Sequence, residues 1–159
     1  MRHKQNGYDD LYAIAEDLIA AKRTTPDLLA VTSESNGGMM DGVGLTQRPE
    51  LWAGVVPRVP LLDLIGACRD PYGEMVVRME FADIDEPDEV RRLASFSPYH
   101  LVSDGARYPA VYLDAGDADP RCPAWHARKL AARLQCASAG SAPVVLRVWD
   151  NLGHGGVTN

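Results

Sequence analysis

A serine in a short turn, between an apolar run and a probable helix, is the first feature that could do chemistry. Ser35 lies in the segment 32–38, which follows a short apolar run and leads into a predicted helix. This is the context of a nucleophile elbow, where G-x-S-x-G holds a serine in a strained turn. Gly37 is the small residue two positions after the serine, whereas Ser33 replaces the glycine usual two positions before it. The segment predicts a nucleophilic serine, with an ordinary helix cap as the alternative.

A serine hydroxyl needs a histidine to take its proton and a carboxylate to orient that histidine. His154 lies in a glycine-lined loop directly after the last predicted strand, and Asp114, Asp117 and Asp119 follow the strand before it. The order Ser, Asp, His along the chain is that of α/β-hydrolases. We expect the histidines at 3, 100 and 126 to be surface or packing residues. A calcium loop is the alternative for the aspartates, but the glycine and final glutamate of an EF-hand loop are missing.

Strands that alternate with helices must position these residues. Apolar periodicity predicts helices at 9–22, 36–47 and 124–135, with a short charged helix at 87–95. Apolar runs at 28–32, 52–56, 110–113 and 144–149 predict strands, and the rest of 57–108 reads mainly as loop. This alternation predicts an α/β fold with a mainly parallel sheet and flanking helices. In such sheets, functional groups gather beyond the carboxyl ends of the strands.

Length and composition exclude several classes of protein. The 159 residues, 46% of them hydrophobic and with a net charge of −6, fit one globular domain. The basic residues are scattered, so we expect no nucleic-acid partner. No apolar run approaches the roughly 20 residues of a membrane span, and none follows the basic N-terminal residues, so we expect neither a membrane-spanning helix nor a secretory signal. Three cysteines without C-x-x-C spacing favour reduced thiols in a cytoplasmic protein, without zinc. No nucleotide-binding motif is present, and we expect no cofactor.

The whole chain resembles the catalytic α/β-hydrolase domain of the prolyl oligopeptidase family of serine peptidases. The resemblance depends on short motifs spread along nearly its full length. They are HKQN at 3–6 with DD at 9–10, TPD at 25–27, SNGG at 35–38, TQRPEL at 46–51, LLD at 61–63, FSP at 96–98, YPA at 108–110, DADPR at 117–121 and GHG at 153–155.

The resemblance assigns the residues of the reaction position by position. Ser35 matches the nucleophile of the family, Asp119 the acid of the triad and His154 the general base. The backbone N–H of Asn36 matches one donor of the oxyanion hole. The resemblance implies no metal and no cofactor, and it implies a peptide substrate.

Two further positions bear on specificity, and a third bears on catalysis. Arg121 matches an arginine that binds a substrate carbonyl in peptidase members, with a surface arginine paired to a nearby aspartate as the alternative. Val77 aligns with the tryptophan that stacks on the substrate proline in proline-specific members, so a proline preference is not expected. Glu34 replaces the glycine directly before the nucleophile and places a carboxylate beside it, which would oppose formation of a nearby oxyanion.

The resemblance also implies an incomplete domain. Family members precede this region with a β-propeller and with further strands, one of which carries an oxyanion-hole tyrosine, and they follow it with a final helix. We therefore expect residues 1–159 to be a partial α/β-hydrolase domain without a propeller, whose exposed sheet edges favour self-association. The predicted function is that of a serine peptidase acting on short peptides. The alternatives are a serine esterase on the same scaffold and a truncated, catalytically silent fragment that acts as an interaction module.

Overall fold

A parallel sheet forms the centre of the computed structural model, which describes residues 3–155. In this range the sheet has four strands, which are β1 (Ala30–Glu34), β2 (Gly54–Arg58), β3 (Ala110–Gly116) and β4 (Val144–Trp149). They lie in the order β1-β2-β3-β4, and each pair of neighbours is parallel. The register places Val31 beside Val55 and Leu113 beside Leu146. The α/β class and the parallel sheet are confirmed.

Helices flank this sheet. They are α1 (Lys4–Ala20), α2 (Asn36–Gln47), α3 (Leu64–Ala67), α4 (Pro71–Glu80), α5 (Pro87–Ala94), α6 (Pro98–Leu101) and α7 (Trp125–Ala137). α2 packs on β1 and β2, α7 packs on β3 and β4, and α1 packs on α2. Among residues 3–155 no helix has the length and apolar character needed to cross a membrane.

The sheet buries one face more deeply than the other. Val55, Val111 and Leu113 are at most 2% exposed and lie in the core with residues of α2 and α7. Because successive side chains of a strand point to opposite faces, their neighbours lie on the other side. There Tyr112 and Val145, paired across β3 and β4, are 38% and 47% exposed.

Most of the predicted elements are confirmed, with shifts at their ends. The bounds of α2 and β4 agree with the prediction, whereas β1 and β2 begin two residues late and α1 begins at Lys4. β1 starts late because residues 26–28 form a 3₁₀ turn. The helices α3, α4 and α6 were not predicted. They lie in the stretch 57–108, where the apolar pattern is weakest.

Candidate active site

Ser35 lies at the turn between β1 and α2 in a backbone conformation that is unusual for a residue with a side chain. Its φ and ψ angles are 59° and −121°, in a sparsely populated region that such residues occupy at a cost in energy. The turn is held from β2 and the loop after it. The Ser35 N–H donates to the carbonyl of Arg58 at 2.9 Å, and the Leu61 N–H donates to the carbonyl of Ser35 at 3.3 Å. The hydroxyl therefore sits in a fixed turn at the positive end of α2.

Glycines let α2 approach the strand ends closely. A Cβ on Gly38 would lie 2.8 Å from the Cβ of Pro60, so no larger residue fits there without a shift. A Cβ on Gly37 would lie 3.0 Å from the Cβ of Ser33. Ser33, which replaces the usual glycine two positions before the nucleophile, therefore fits because residue 37 is a glycine.

The structure places Ser35, His154 and Asp119, the three residues expected to form a triad, within hydrogen-bond distance of one another in series. His154 Nε2 lies 2.8 Å from Ser35 Oγ, and His154 Nδ1 lies 2.7 Å from Asp119 Oδ2. The other carboxylate oxygen of Asp119 accepts hydrogen bonds from the backbone N–H groups of Arg121 at 2.8 Å and Cys122 at 3.0 Å. With a proton on Nδ1 donated to Asp119, Nε2 is free to accept the proton of Ser35. This arrangement can activate a serine for acyl transfer.

Direct contacts join the loops that carry Asp119 and His154. The carboxylate of Asp117 accepts from the Asn151 N–H at 2.6 Å, and the Ala118 N–H donates to the Leu152 carbonyl at 3.1 Å. A Cβ on Gly116 would overlap the Leu152 carbonyl, so this close approach requires glycine. The acid and the base are therefore held by one hydrogen-bonded loop pair.

The three aspartates considered for a cation site have separate partners. Asp114 pairs with Arg58 at 3.3 Å, Asp117 bonds Asn151, and Asp119 bonds His154. Across residues 3–155, no three His, Cys, Asp or Glu side chains are grouped in a way that could hold a metal ion.

A cavity of about 250 Å³ opens beside Ser35. Asn36 lies on its wall and is the first residue of α2, so its backbone N–H has no carbonyl partner within the helix. Most of the remaining wall comes from α4 and from the loop after β3. These residues are Tyr72, Gly73, Met75, Val76, Met79, Glu80, Arg121 and Cys122, with Leu61 on the loop after β2.

The two predicted substrate-binding residues have different positions. Arg121 lies on the wall of the cavity, where its Nε donates to the hydroxyl of Tyr72 at 3.0 Å. Its contact with Asp119 is made by its backbone N–H. Val77 is fully buried in the core and does not line the cavity, because α4 turns this side chain inward. Its neighbour Val76 lines the cavity instead.

The carboxylate next to the nucleophile is balanced by a cation. Glu34 lies 3.3 Å from Arg58, which also pairs with the buried Asp114. Burial raises the pKa of Asp114, and Arg58 opposes that shift. The unfavourable charge predicted for Glu34 is therefore offset by Arg58 on the neighbouring strand.

Two further titratable groups lie close to the site or beneath it. Burial raises the pKa of the Cys122 thiol to about 11. Its Sγ lies 4.0 Å from Ser35 Oγ. Burial lowers the pKa of His126 to about 4, and its Nδ1 accepts from the Asp63 N–H at 3.2 Å. The packing role predicted for His126 is confirmed.

Sequence reasoning missed the contribution of α4 to the cavity. Tyr72, Met75 and Met79 lie in the stretch read mainly as loop. A signal was present, because Asp70 caps the helix by accepting from the Gly73 N–H at 2.8 Å and Pro71 occupies the first helical position. A cap followed by proline and mixed apolar residues is enough to indicate a helix start.

The parallel sheet and the strand–turn–helix at Ser35 define the fold as the α/β-hydrolase type, of which this chain contains a part. Residues 1–159 match the model of the prolyl oligopeptidase family. The chain therefore belongs to the prolyl oligopeptidase family.

Relatives and solved structures agree with this assignment. The chain is 42% identical over 133 residues to an uncharacterized peptidase of Sinorhizobium fredii, covering 84% of this chain and 18% of the relative. It is 32% identical over 154 residues to a prolyl endopeptidase of Elizabethkingia miricola, covering 97% and 22%. Among solved structures, a prolyl endopeptidase has a TM-score of 0.91 at 41% identity, covering 96% of this chain and 22% of the other. Oligopeptidase B from Leishmania major has a TM-score of 0.89 at 29% identity, covering 95% and 21%. The chain thus spans about a fifth of the length of the proteins it matches.

Proposed function

We propose that this chain carries the catalytic residues of a serine peptidase that hydrolyses peptide bonds of short peptides. The observation that carries the proposal is the continuous hydrogen-bonded series from Asp119 through His154 to Ser35, with distances of 2.7 and 2.8 Å. The strained turn at Ser35 and the adjoining cavity support the same conclusion.

In the proposed reaction, Ser35 Oγ attacks the scissile carbonyl carbon while its proton passes to His154 Nε2. Asp119 accepts a hydrogen bond from Nδ1 and stabilises the imidazolium that forms. The N–H of Asn36, with the positive end of α2, stabilises the oxyanion. Collapse of the tetrahedral intermediate breaks the C–N bond, and His154 returns the proton to the leaving amine. Water then releases the acyl group by the same steps in reverse order.

Two observations support a peptide as the substrate: a residue on the wall of the cavity and the names of the relatives. Arg121 is exposed and held by Tyr72, so its guanidinium N–H groups can donate to a backbone carbonyl of a bound peptide. Several relatives are named prolyl endopeptidases or oligopeptidases. A peptide substrate fits both observations. A cytoplasmic setting is part of the proposal, since the three cysteines are free thiols.

Association between chains is a further part of the proposal. Among the described residues, β1 and β4 are the edges of the sheet, and alternate residues of both strands are exposed. Edge strands offer unpaired backbone groups to another chain. Sedimentation velocity over a range of concentrations tests this, and a species that remains monomeric throughout contradicts it.

The reaction is tested by covalent labelling with a small alkyl fluorophosphonate, read by intact mass. The expected result is one phosphonyl adduct on the 159-residue chain, absent in Ser35→Ala and in His154→Ala. The second variant matters because it keeps the serine but removes its base. A chain shown to be folded by circular dichroism that takes up no adduct overturns the proposal. Matched fluorogenic peptides and esters then separate a peptidase from an esterase.

A further inference from the structure

The cavity beside Ser35 has an apolar wall made by one face of α4. Met75 and Met79 are four residues apart and therefore neighbours on the helix surface, with Val76 beside them. Leu61 contributes a further apolar side chain to the cavity. At about 250 Å³, the cavity is smaller than the roughly 300–1,000 Å³ typical of sites for whole small molecules. It has room for one side chain of a peptide.

The two methionines are not buried by the packing of the fold. Met75 is 46% exposed and Met79 is 69% exposed, while Val77 on the inner face of the same helix is fully buried. Large apolar side chains exposed together beside a candidate nucleophile indicate a binding surface. Methionine is unbranched and polarizable, so such a wall adapts to apolar groups of different shapes.

The charged groups at this cavity do not favour a cationic side chain. The carboxylate of Glu80 is paired with Lys4 Nζ at 2.6 Å. Arg121, on the same cavity, carries a positive charge, and its Nε donates to the hydroxyl of Tyr72 and not to a carboxylate. A bound lysine or arginine side chain would therefore meet an acid that is already neutralised and a guanidinium of its own sign.

Building on the proposed function, we infer that Met75 and Met79 select a flexible or aromatic apolar side chain, such as that of leucine, methionine or phenylalanine, on the acyl side of the scissile bond. A longer apolar side chain covers the methionine wall and removes it from water. The ring of proline is small and rigid, and it covers less of this wall. The chain therefore discriminates in favour of large apolar residues over proline, and over arginine.

The test compares p-nitrophenyl esters of N-acylated leucine, phenylalanine, proline and arginine, with kcat/KM as the readout. The expected order places leucine and phenylalanine about tenfold or more above proline and arginine. In the double variant Met75→Ala/Met79→Ala, the advantage of leucine over proline falls by about tenfold. The matched control is Leu28→Ala, which removes an apolar side chain that is 79% exposed and precedes the amino end of β1, so the preference stays unchanged.

Fluorophosphonate labelling of the same samples separates the two conclusions. The small alkyl reagent reports the reactivity of Ser35, and we expect the Leu28→Ala control to label at the rate of the unmodified chain. If the chain is labelled but hydrolyses the proline or arginine ester as fast as the leucine ester, the inference is overturned and the proposed function stands. Absence of labelling in the folded chain overturns both.

Discussion

The carboxylate of Asp119 meets the imidazole of His154 at 2.7 Å across 35 residues of sequence, and its second oxygen is already occupied by two backbone N–H groups. The side chain is therefore fixed before it orients the histidine. The fixed carboxylate favours the tautomer of His154 with its proton on Nδ1, and Nε2 is then left to accept from Ser35.

Replacing Asp119 by asparagine should abolish most of the reactivity without unfolding the chain. The amide oxygen can still accept from the backbone of Arg121 and Cys122, but the amide N–H₂ favours the wrong tautomer of His154. We expect the fluorophosphonate labelling rate to fall by about 10³–10⁴. Asp117→Asn is the matched control, since Asp117 bonds the Asn151 backbone and not the histidine. An Asp119→Asn variant that labels within threefold of the unmodified chain contradicts the assigned role.

The contact between Gly37 and Ser33 predicts a coupled pair of substitutions. Gly37→Ala places a methyl group 3.0 Å from the Ser33 Cβ and 3.1 Å from its Oγ. We expect it to lower the free energy of unfolding by about 1–3 kcal/mol. In a Ser33→Gly background the obstacle is gone, and the same change should cost less than about 0.5 kcal/mol. Urea unfolding of the four proteins measures the coupling, and additive effects would show that the two positions do not interact.

A buried carboxyl beneath the elbow makes stability depend on pH. Asp41 on α2 is 1% exposed, and burial raises its pKa from 3.8 to about 6, although the nearby Ser33 lowers it in part. A raised pKa favours the neutral form of Asp41 in the folded chain. Its contribution to the free energy of unfolding is therefore fully present below about pH 3.8 and is lost as the pH rises through 6. At neutral pH the buried charge costs on the order of 3 kcal/mol.

Asp41→Asn should therefore stabilise the chain at pH 7.5, by about 1–3 kcal/mol, with a gain that shrinks toward pH 4. Urea midpoints at pH 7.5, 6 and 4.5 measure it. Asp27→Asn, at an exposed position in the 3₁₀ turn before β1, serves as the control for removal of one negative charge. A gain of equal size at all three values would refute the role of burial.

Arg58 balances two carboxylates on its neighbouring strands, one of them buried. Arg58→Met keeps much of the length of the side chain but leaves Asp114, whose side chain is 4% exposed, without its cation. We expect a loss of about 3 kcal/mol in the free energy of unfolding, since a buried charge that loses its partner is strongly destabilising. Adding Asp114→Asn should restore most of it. If the second change brings no recovery, the loss comes from packing of the arginine stem and not from charge.

The elements predicted correctly from the sequence are those in which local preferences and tertiary packing agree. α2 has a strict boundary at each end, with Ser35 before it and Arg48 and Pro49 after it, and its predicted bounds are confirmed. β4 alternates along a clear apolar run and is also confirmed. The family resemblance brought Asp119 to attention among three nearby aspartates, a choice that spacing alone left open.

The stretch that was not predicted is the one that lines the cavity. In α4 the inner face carries Val77 and Gly73 while Met75 and Met79 remain exposed, so apolar residues occur on both faces and no single stripe appears. A helix that offers apolar side chains to a ligand breaks the pattern used to recognise it. The same ambiguity explains why Val77 was expected to bind substrate but lies in the core. The family resemblance gives its position along the chain but not the helix face on which it lies.

The hydrogen bond between Ser35 and His154 joins residues 119 positions apart, one at the first strand and the other beyond the last. We expect such a contact to form late in folding. The entropy lost in closing so long a loop must first be offset by formation of the sheet between its ends. We therefore expect the nucleophile to lack its base until the four strands are paired. In refolding experiments, reactivity toward a fluorophosphonate would appear with the slowest phase of structure formation, whereas the helical circular dichroism signal would be recovered earlier.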